Sequence, residues 1–134
     1  MLYSYDLTIP ANTLASAPVK VDMPVGPGIL HKLEVEFPPG CNKAVLVSIR
    51  RGLHQVYPTN PDGALKANAY TISTAEYYSV MEAPHQLEAY GWSPGTTYPH
   101  VITIRMGILP TEVLEPGREA LTFLNRLRLL MFGK

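Results

Sequence analysis

The segment ILHKLEVEF, residues 29–37, decides how the rest of the chain is interpreted. Along this segment charged side chains alternate with side chains that are mostly apolar. A period of two places successive side chains on opposite faces of a β-strand. The pattern therefore predicts a strand that buries one face and leaves the other in water. The predicted buried face carries Ile29, His31, Leu33, Val35 and Phe37.

The same alternation returns on both sides of this strand. After the turn Pro38-Pro39-Gly40, residues 44–51 place Val45, Val47 and Ile49 on one face, so we predict a hairpin partner or a neighbouring strand. Residues 100–108 alternate as well. Their high content of β-branched side chains favours a strand well inside a sheet.

Shorter segments raise the predicted total to eight or nine strands. The chain contains 13 prolines spread along its length, and proline breaks helix interiors, which excludes long helices from most of the sequence. We therefore predict an all-β domain over residues 1–112, an antiparallel two-sheet sandwich resembling a jelly roll. The shorter predicted strands are residues 3–9, 18–23, 53–57, 70–74, 77–81 and 86–90.

The C-terminal segment, residues 113–134, follows a different pattern. Residues 118–132 contain no proline or glycine, and their apolar side chains recur at helical spacing. We predict a short amphipathic α-helix that either covers its own sandwich or docks on a partner protein. The predicted interface residues are Leu121, Phe123, Leu124, Leu127, Leu130, Met131 and Phe132.

Composition limits the kinds of partner. The 134 residues carry 11 basic and 11 acidic side chains, so the chain lacks the excess positive charge that binds nucleic acid. No segment has the length and hydropathy of a membrane span or the pattern of a secretory signal. Cys41 is the only cysteine, so no intrachain disulfide forms, as is typical of a reducing compartment. We expect neither nucleic acid nor membrane as a partner.

Motifs that carry chemistry are absent from the sequence. The histidines lack the short spacings of metal sites, and Cys41 lies in a turn without an activating signature. We predict no enzymatic activity, no cofactor and no metal. We expect a core position for the first histidine and loop positions for the last two. The four are His31, His54, His85 and His100.

Aromatic residues are the remaining candidates for a site. Tyr90, Trp92 and Tyr98 surround a Pro-Gly turn, and aromatic rings beside polar loop residues are typical of a carbohydrate platform. The alternative is that Trp92 fills one end of the sandwich. Four other tyrosines are predicted at sheet edges, where a ring can pack while its hydroxyl stays in water. These are Tyr57, Tyr70, Tyr77 and Tyr78.

Five short runs give the chain a resemblance to known proteins. They are IPANT (residues 9–13), VEFPPG (35–40), GLHQ (52–55), PTNP (58–61) and YPH (98–100). With them, residues 7–110 resemble small β-sandwich proteins encoded among the structural genes of tailed bacteriophages, of the capsid cement or decoration type.

The resemblance implies a non-enzymatic virion protein that binds and stabilises a capsid shell. Its partners would be the major capsid protein or other virion proteins, and the chain would form a homo-oligomer, with a trimer favoured. It would be made in the cytoplasm of the bacterial host and would end on the capsid surface. The alternative function is a carbohydrate-binding or receptor-binding module that uses the aromatic residues around Trp92.

Overall fold

The computed structural model describes residues 1–110, which form eight β-strands. No helix occurs within this range. The predicted C-terminal helix, residues 113–134, lies outside the described residues, so the domain boundary after residue 112 stays a prediction. The strands are β1 (Leu2–Ile9), β2 (Val19–Pro24), β3 (Gly28–Phe37), β4 (Leu46–Arg51), β5 (His54–Tyr57), β6 (Tyr70–Ser79), β7 (Gln86–Trp92) and β8 (His100–Pro110).

The strands form two antiparallel sheets of four, with the orders β1-β8-β3-β6 and β2-β7-β4-β5. The pairing is nested, because β1 pairs with β8, β2 with β7, β3 with β6 and β4 with β5. The chain is therefore arranged like one long hairpin wound around a common interior. This confirms the predicted all-β class with two antiparallel sheets.

The predicted pairing of β3 with β4 is wrong. β3 lies between β8 and β6, whereas β4 lies between β7 and β5 in the other sheet. The intervening segment, residues 38–45, crosses from one sheet to the other. Alternation identifies the buried face of each strand but not its partner, and both strands bury their apolar faces from opposite sides of one core. Phe37 and Val45, at the two ends of the crossing, are both buried.

A β-bulge at His31 corrects the predicted buried face of β3. The register against β6 and β8 shifts between Leu30 and Lys32, and an inserted residue reverses the alternation. Leu30 therefore lies in the core, and His31 is half-buried outside it. The imidazole lies against Gly107, where an added Cβ would come within 2.8 Å of its Nε2. The expected core position of His31 is wrong for this reason.

Two predicted strands are one. Residues 70–74 and 77–81 are predicted as separate strands, but β6 runs without a break from Tyr70 to Ser79. Its register shifts opposite the bulge, where Lys32 faces Ala75 and Leu30 faces Tyr78. The sequence pattern is interrupted at Ala75 and Glu76 because both residue types are depleted in strands.

Both sheets contribute to a single hydrophobic core. The alternation predicted for residues 100–108 is confirmed, since β8 turns Ile102, Ile104 and Met106 inward. β4 faces them across the core with Val47 and Ile49, both fully buried. One core shared by two facing sheets is consistent with the predicted sandwich.

Candidate functional site

A hollow opens at one end of the two-sheet body, between the crossing segment 38–45 and the loop that leads into β8. We name it the His100 hollow. Its volume is about 180 Å³. Within the described part of the chain, no lysine, arginine, aspartate or glutamate lines it. Besides two glycines and an alanine, its walls are Cys41, Asn42, Thr96, Thr97, Tyr98 and His100.

His100 is the most unusual of these residues. It is the first residue of β8, opposite Ile9 of β1, and only 6% of it is exposed. Neither Nδ1 nor Nε2 has a hydrogen-bond partner among residues 1–110. A buried polar group left unpaired costs about 1–3 kcal/mol, so a group that pairs with this imidazole would recover part of that energy.

The loop position expected for His100 is wrong. Its side chain shares the inward face of β8 with Ile102 and Ile104, which are fully buried. A period of two counted backwards from Ile102 would have placed it there. The preceding Pro99 masked this signal, because proline is typical of loops and strand starts.

Tyr98 forms the exposed wall of the hollow. Its ring centroid lies 5.1 Å from that of His100, with the two planes tilted by 38°, and 56% of the residue is exposed. Its hydroxyl lies near Gly40, which has a φ of +97°. A Cβ at that glycine would lie 3.5 Å from the Tyr98 hydroxyl oxygen. The absence of a side chain there keeps this wall open.

Cys41 lines the hollow as a buried free thiol. Burial raises the pKa of this thiol above its ordinary value, so the group stays protonated at neutral pH. Only the thiolate is a good nucleophile. The side chain therefore contributes a weakly polar, neutral surface to the wall.

The backbone around the hollow is held by side chains from neighbouring loops. Asn68 Oδ1 accepts hydrogen bonds from the amides of Gly40 and Asn42, at 3.0 and 3.1 Å. Asn12 Oδ1 accepts one from the amide of Gly95 at 2.8 Å. These three amides are therefore engaged within the protein.

The three residues predicted as a carbohydrate platform divide between two places. Tyr98 lines the His100 hollow, whereas Tyr90 and Trp92 do not. Both lie on the face of β7 that points away from the core. There the guanidinium carbon of Arg50 lies 4.7 Å from the centre of the Tyr90 ring. Trp92 is half-buried and lies outside the core cluster.

A second surface lies along β6, which we name the β6 edge. Among residues 1–110, β6 pairs only with β3, so one side of it is a sheet edge. Tyr70 and Tyr77 are 64% and 79% exposed. On the neighbouring β4–β5 turn Leu53 is fully exposed. The ring of His54, the first residue of β5, stacks on the ring of Tyr78 with 6.1 Å between the two ring centroids. Sequence analysis placed the tyrosines at sheet edges without identifying the surface they form.

Shallow hollows flank the two ends of the β6 edge. One, of about 310 Å³, is lined by Tyr70 together with Pro38, Pro39 and Ala69. The other, of about 370 Å³, lies between Tyr78 and the turn that contains Pro84. Both offer depressions beside exposed or half-exposed aromatic rings.

The predicted helical interface belongs to the C-terminal segment. Its residues lie outside the described part of the chain. They are Leu121, Phe123, Leu124, Leu127, Leu130, Met131 and Phe132.

Two further findings concern residues 1–110 alone. No three His, Cys, Asp or Glu side chains there are grouped so that they could hold a metal ion. No helix in this range is long and apolar enough to cross a membrane.

Comparison with known proteins gives only distant similarities. No protein-family model and no curated protein matches the chain. Among solved structures it is similar to PirA, with 13% identity and a TM-score of 0.41 over 78% of this chain and 94% of that one. It is also similar to the Yersinia pseudotuberculosis-derived mitogen, with 10% identity and a TM-score of 0.43 over 81% of this chain and 86% of that one.

A third similarity is to a family two carbohydrate esterase from Cellvibrio japonicus. The identity is 13% and the TM-score 0.34, over 82% of this chain and 36% of that one. Similarities as distant as these three assign no function to the chain.

Proposed function

We propose that the chain is a non-enzymatic protein of a bacteriophage particle that binds and stabilises the capsid shell through protein–protein contacts. The resemblance of residues 7–110 to cement and decoration proteins supports the proposed place in a bacteriophage particle. The β6 edge is the observation that carries the binding role. A partner such as the major capsid protein would contact this edge.

The β6 edge has the chemistry of a protein-binding surface. An edge strand presents unpaired backbone N–H and C=O groups, to which a partner strand can add. β6 is ten residues long and contains a single charged side chain, Glu76, so little charge repels such a partner. Exposed tyrosines are enriched at the centres of protein interfaces, and Tyr70 and Tyr77 lie near the two ends of this strand.

The finer architecture in this proposal is a jelly roll followed by a C-terminal helix. Eight strands paired in nested order are what two Greek keys wound together produce. Such a body gives a rigid scaffold for the β6 edge. The predicted helix within residues 113–134 would supply a second contact, to the shell or to another copy of the chain.

Repetition would strengthen the attachment. Many copies on one shell, or a trimer that makes three contacts at once, gain avidity beyond the affinity of a single contact. A weak edge contact is then sufficient. The mature location would be the virion surface, after synthesis in the host cytoplasm.

The test replaces exposed tyrosines of the β6 edge. Tyr70→Lys and Tyr77→Lys place charge on the proposed interface, and both should weaken cosedimentation with capsids of the phage that encodes the chain by at least tenfold. Surface substitutions such as these change stability by about 0.5 kcal/mol or less, so the loss would not reflect unfolding. Leu14→Lys is the matched control, because Leu14 is 54% exposed but lies outside β6.

The outcomes distinguish binding through the β6 edge from binding through the predicted C-terminal helix. If both tyrosine variants bind as the unchanged chain does, the β6 edge is not the contact. Deleting residues 118–134 then shows whether that segment carries it, and light scattering of each variant reports the oligomeric state. A full-length chain that binds no capsid protein and no particle would overturn the proposal.

Glycan or receptor binding through Trp92 is the second candidate. Tyr90 and Trp92 share one face of β7 and are half-buried, so part of each is open to solvent. Glycan-array binding that disappears in Trp92→Ala would establish this function. Array binding unchanged in that variant would exclude Trp92 as its centre.

A further inference from the structure

The His100 hollow carries an inference that does not rest on the capsid proposal. Its walls combine a buried imidazole without hydrogen-bond partners, an exposed aromatic ring and several neutral polar groups. This combination is absent from the β6 edge. The question is which chemical class of ligand it suits.

Anions and metal ions do not fit the walls. No lysine or arginine of residues 1–110 lines the hollow, and the backbone amides of Gly40, Asn42 and Gly95 already donate to Asn12 or Asn68. An anion would therefore meet few free donors. Of the residues that the structure describes, the walls contain two Cys, His, Asp or Glu side chains, Cys41 and His100, which is too few for a typical metal site.

A hydroxyl group is the natural partner of the His100 ring. A neutral imidazole has one nitrogen that donates and one that accepts, and a hydroxyl can do either. Pairing with either nitrogen would satisfy a group that burial leaves unpaired. Asn42, Thr97 and Tyr98 line the same hollow, so further hydroxyls of a ligand would meet residues with a side-chain amide or hydroxyl group.

Tyr98 adds an apolar surface to these polar groups. Its exposed ring has a face on which the C–H groups of a sugar can pack. A volume of about 180 Å³ holds roughly six water molecules and lies below the roughly 300–1,000 Å³ of sites for drug-sized ligands. This space suits one six-membered sugar ring. We infer that the His100 hollow binds a single neutral pyranose, such as the terminal unit of a glycan, with Tyr98 as its platform and His100 as a hydrogen-bond partner.

The experiment is an NMR titration of the full chain with glucose, galactose, mannose and N-acetylglucosamine. Concentrations reach about 50 mM, because one ring makes few contacts and binds in the millimolar range. At least one sugar should shift the ring signals of His100 and Tyr98. Tyr98→Ala should weaken binding about tenfold, and Tyr98→Phe should retain most of it because the ring remains. Both variants change an exposed residue, which leaves the fold intact.

Two controls make the assignment specific. Trp92→Ala should bind the sugar as the unchanged chain does, since Trp92 does not line the hollow. Inorganic phosphate and glucuronate serve as anionic probes and should not shift the His100 signals beyond the effect of ionic strength. The inference is overturned if none of the four sugars shifts these signals, if only the anions do, or if Trp92→Ala abolishes binding that Tyr98→Ala retains.

Discussion

The two lateral sides of the molecule are closed in different ways. On the side of β1 and β2, tyrosine hydroxyls join the two sheets. The Tyr5 hydroxyl donates to the carbonyl of Pro24, and the Tyr3 hydroxyl accepts from the amide of Gly26 at 2.9 Å. Behind them Leu7 and Ile9 of β1 pack closely on Gly91 of β7. Hydrogen bonds between neutral groups and close apolar packing therefore connect the two sheets here. We call this the sealed side and the side of β5 and β6 the open side.

On the side of β5 and β6 the connections are made by a cation, Arg51, and by the stacked rings of His54 and Tyr78. The guanidinium of Arg51 donates to the carbonyls of Ser79, Glu82 and Pro84, at 2.5–3.2 Å. Its carbon also lies 5.8 Å from the centre of the Tyr78 ring. These contacts lie at the solvent-exposed surface, beside the exposed tyrosines of β6.

The two sides differ in what they bury and in what they expose. Burying the aliphatic side chains of β1 against β7 stabilises the body. Arg51 fixes the turn after β6 and leaves most of the β6 edge in water. The second side therefore exposes tyrosine rings, whereas the exposed large apolar side chains at the start of β1 are those of Met1 and Leu2. Three experiments test this contrast, and a fourth concerns the buried thiol of Cys41.

The largest effect is expected at Gly91, on the sealed side. A Cβ there would lie 2.5 Å from Ile9 Cδ1 and 2.8 Å from Leu7 Cδ2, so Gly91→Ala overpacks the sheet-to-sheet contact. We expect a loss of about 2 kcal/mol in the free energy of unfolding, measured by urea denaturation. Ile9→Val removes the nearest methyl group and should partly rescue Gly91→Ala. If Gly91→Ala leaves the free energy of unfolding unchanged, the sealed side is loosely packed.

The next effect concerns Arg51 on the opposite side. Arg51→Lys keeps the charge but loses the planar fork that reaches three carbonyls. We expect the free energy of unfolding to fall by about 1.5 kcal/mol. Amide hydrogen exchange should become faster at Val80 and His85, near the turn. Lys66→Arg is the control, since Lys66 is exposed and lies outside this contact. Unchanged exchange in the turn would show that Arg51 does not hold it.

Removing the hydroxyl groups of Tyr3 and Tyr5 tests the hydrogen bonds of the sealed side. Tyr3→Phe leaves the Gly26 amide without its partner, and Tyr5→Phe removes the bond to Pro24. Each substitution should lower the free energy of unfolding by about 1 kcal/mol. Tyr77→Phe on the open side is the matched control and should change stability by less than about 0.5 kcal/mol. Equal losses in all three variants would contradict the contrast between the sides.

The smallest effect belongs to Cys41, which lies on neither side. Burial raises its thiol pKa, so the unfolded chain loses this proton at a lower pH than the folded chain does. The stabilising contribution is complete below the ordinary thiol pKa and is lost as pH rises through the folded value. The stability difference between the unchanged chain and Cys41→Ala should therefore shrink above about pH 9. A difference constant from pH 7 to 10 would contradict this.

Sequence alone predicted the approximate positions of most strands and the buried faces of residues 44–51 and 100–108, because alternation is a local property. Residues 100–108 are the clearest case, with Ile102 and Ile104 fully buried as expected. Strand pairing could not be predicted in this way. The choice of β6 and β8 as the partners of β3 depends on how the whole chain winds, and no local pattern encodes it.

The candidate site was largely invisible to sequence analysis. The His100 hollow joins Cys41 to Tyr98 and His100, which lie far apart in the chain, and such convergence appears only in three dimensions. Tyr98 was identified from its aromatic neighbours, but the structure pairs it with His100. The bulge at His31 was missed because a period of two assumes that no residue is inserted.

The nested pairing of the strands also has a kinetic consequence. The innermost pair, β4 and β5, closes a tight turn, whereas the outermost pair joins Leu2 to Gly107. Closing a longer loop costs more chain entropy, and folds dominated by distant contacts fold in milliseconds to seconds. The hairpin of β4 and β5 is thus the natural starting point of folding. β1 can find its place only after nearly all of residues 1–110 have been synthesised.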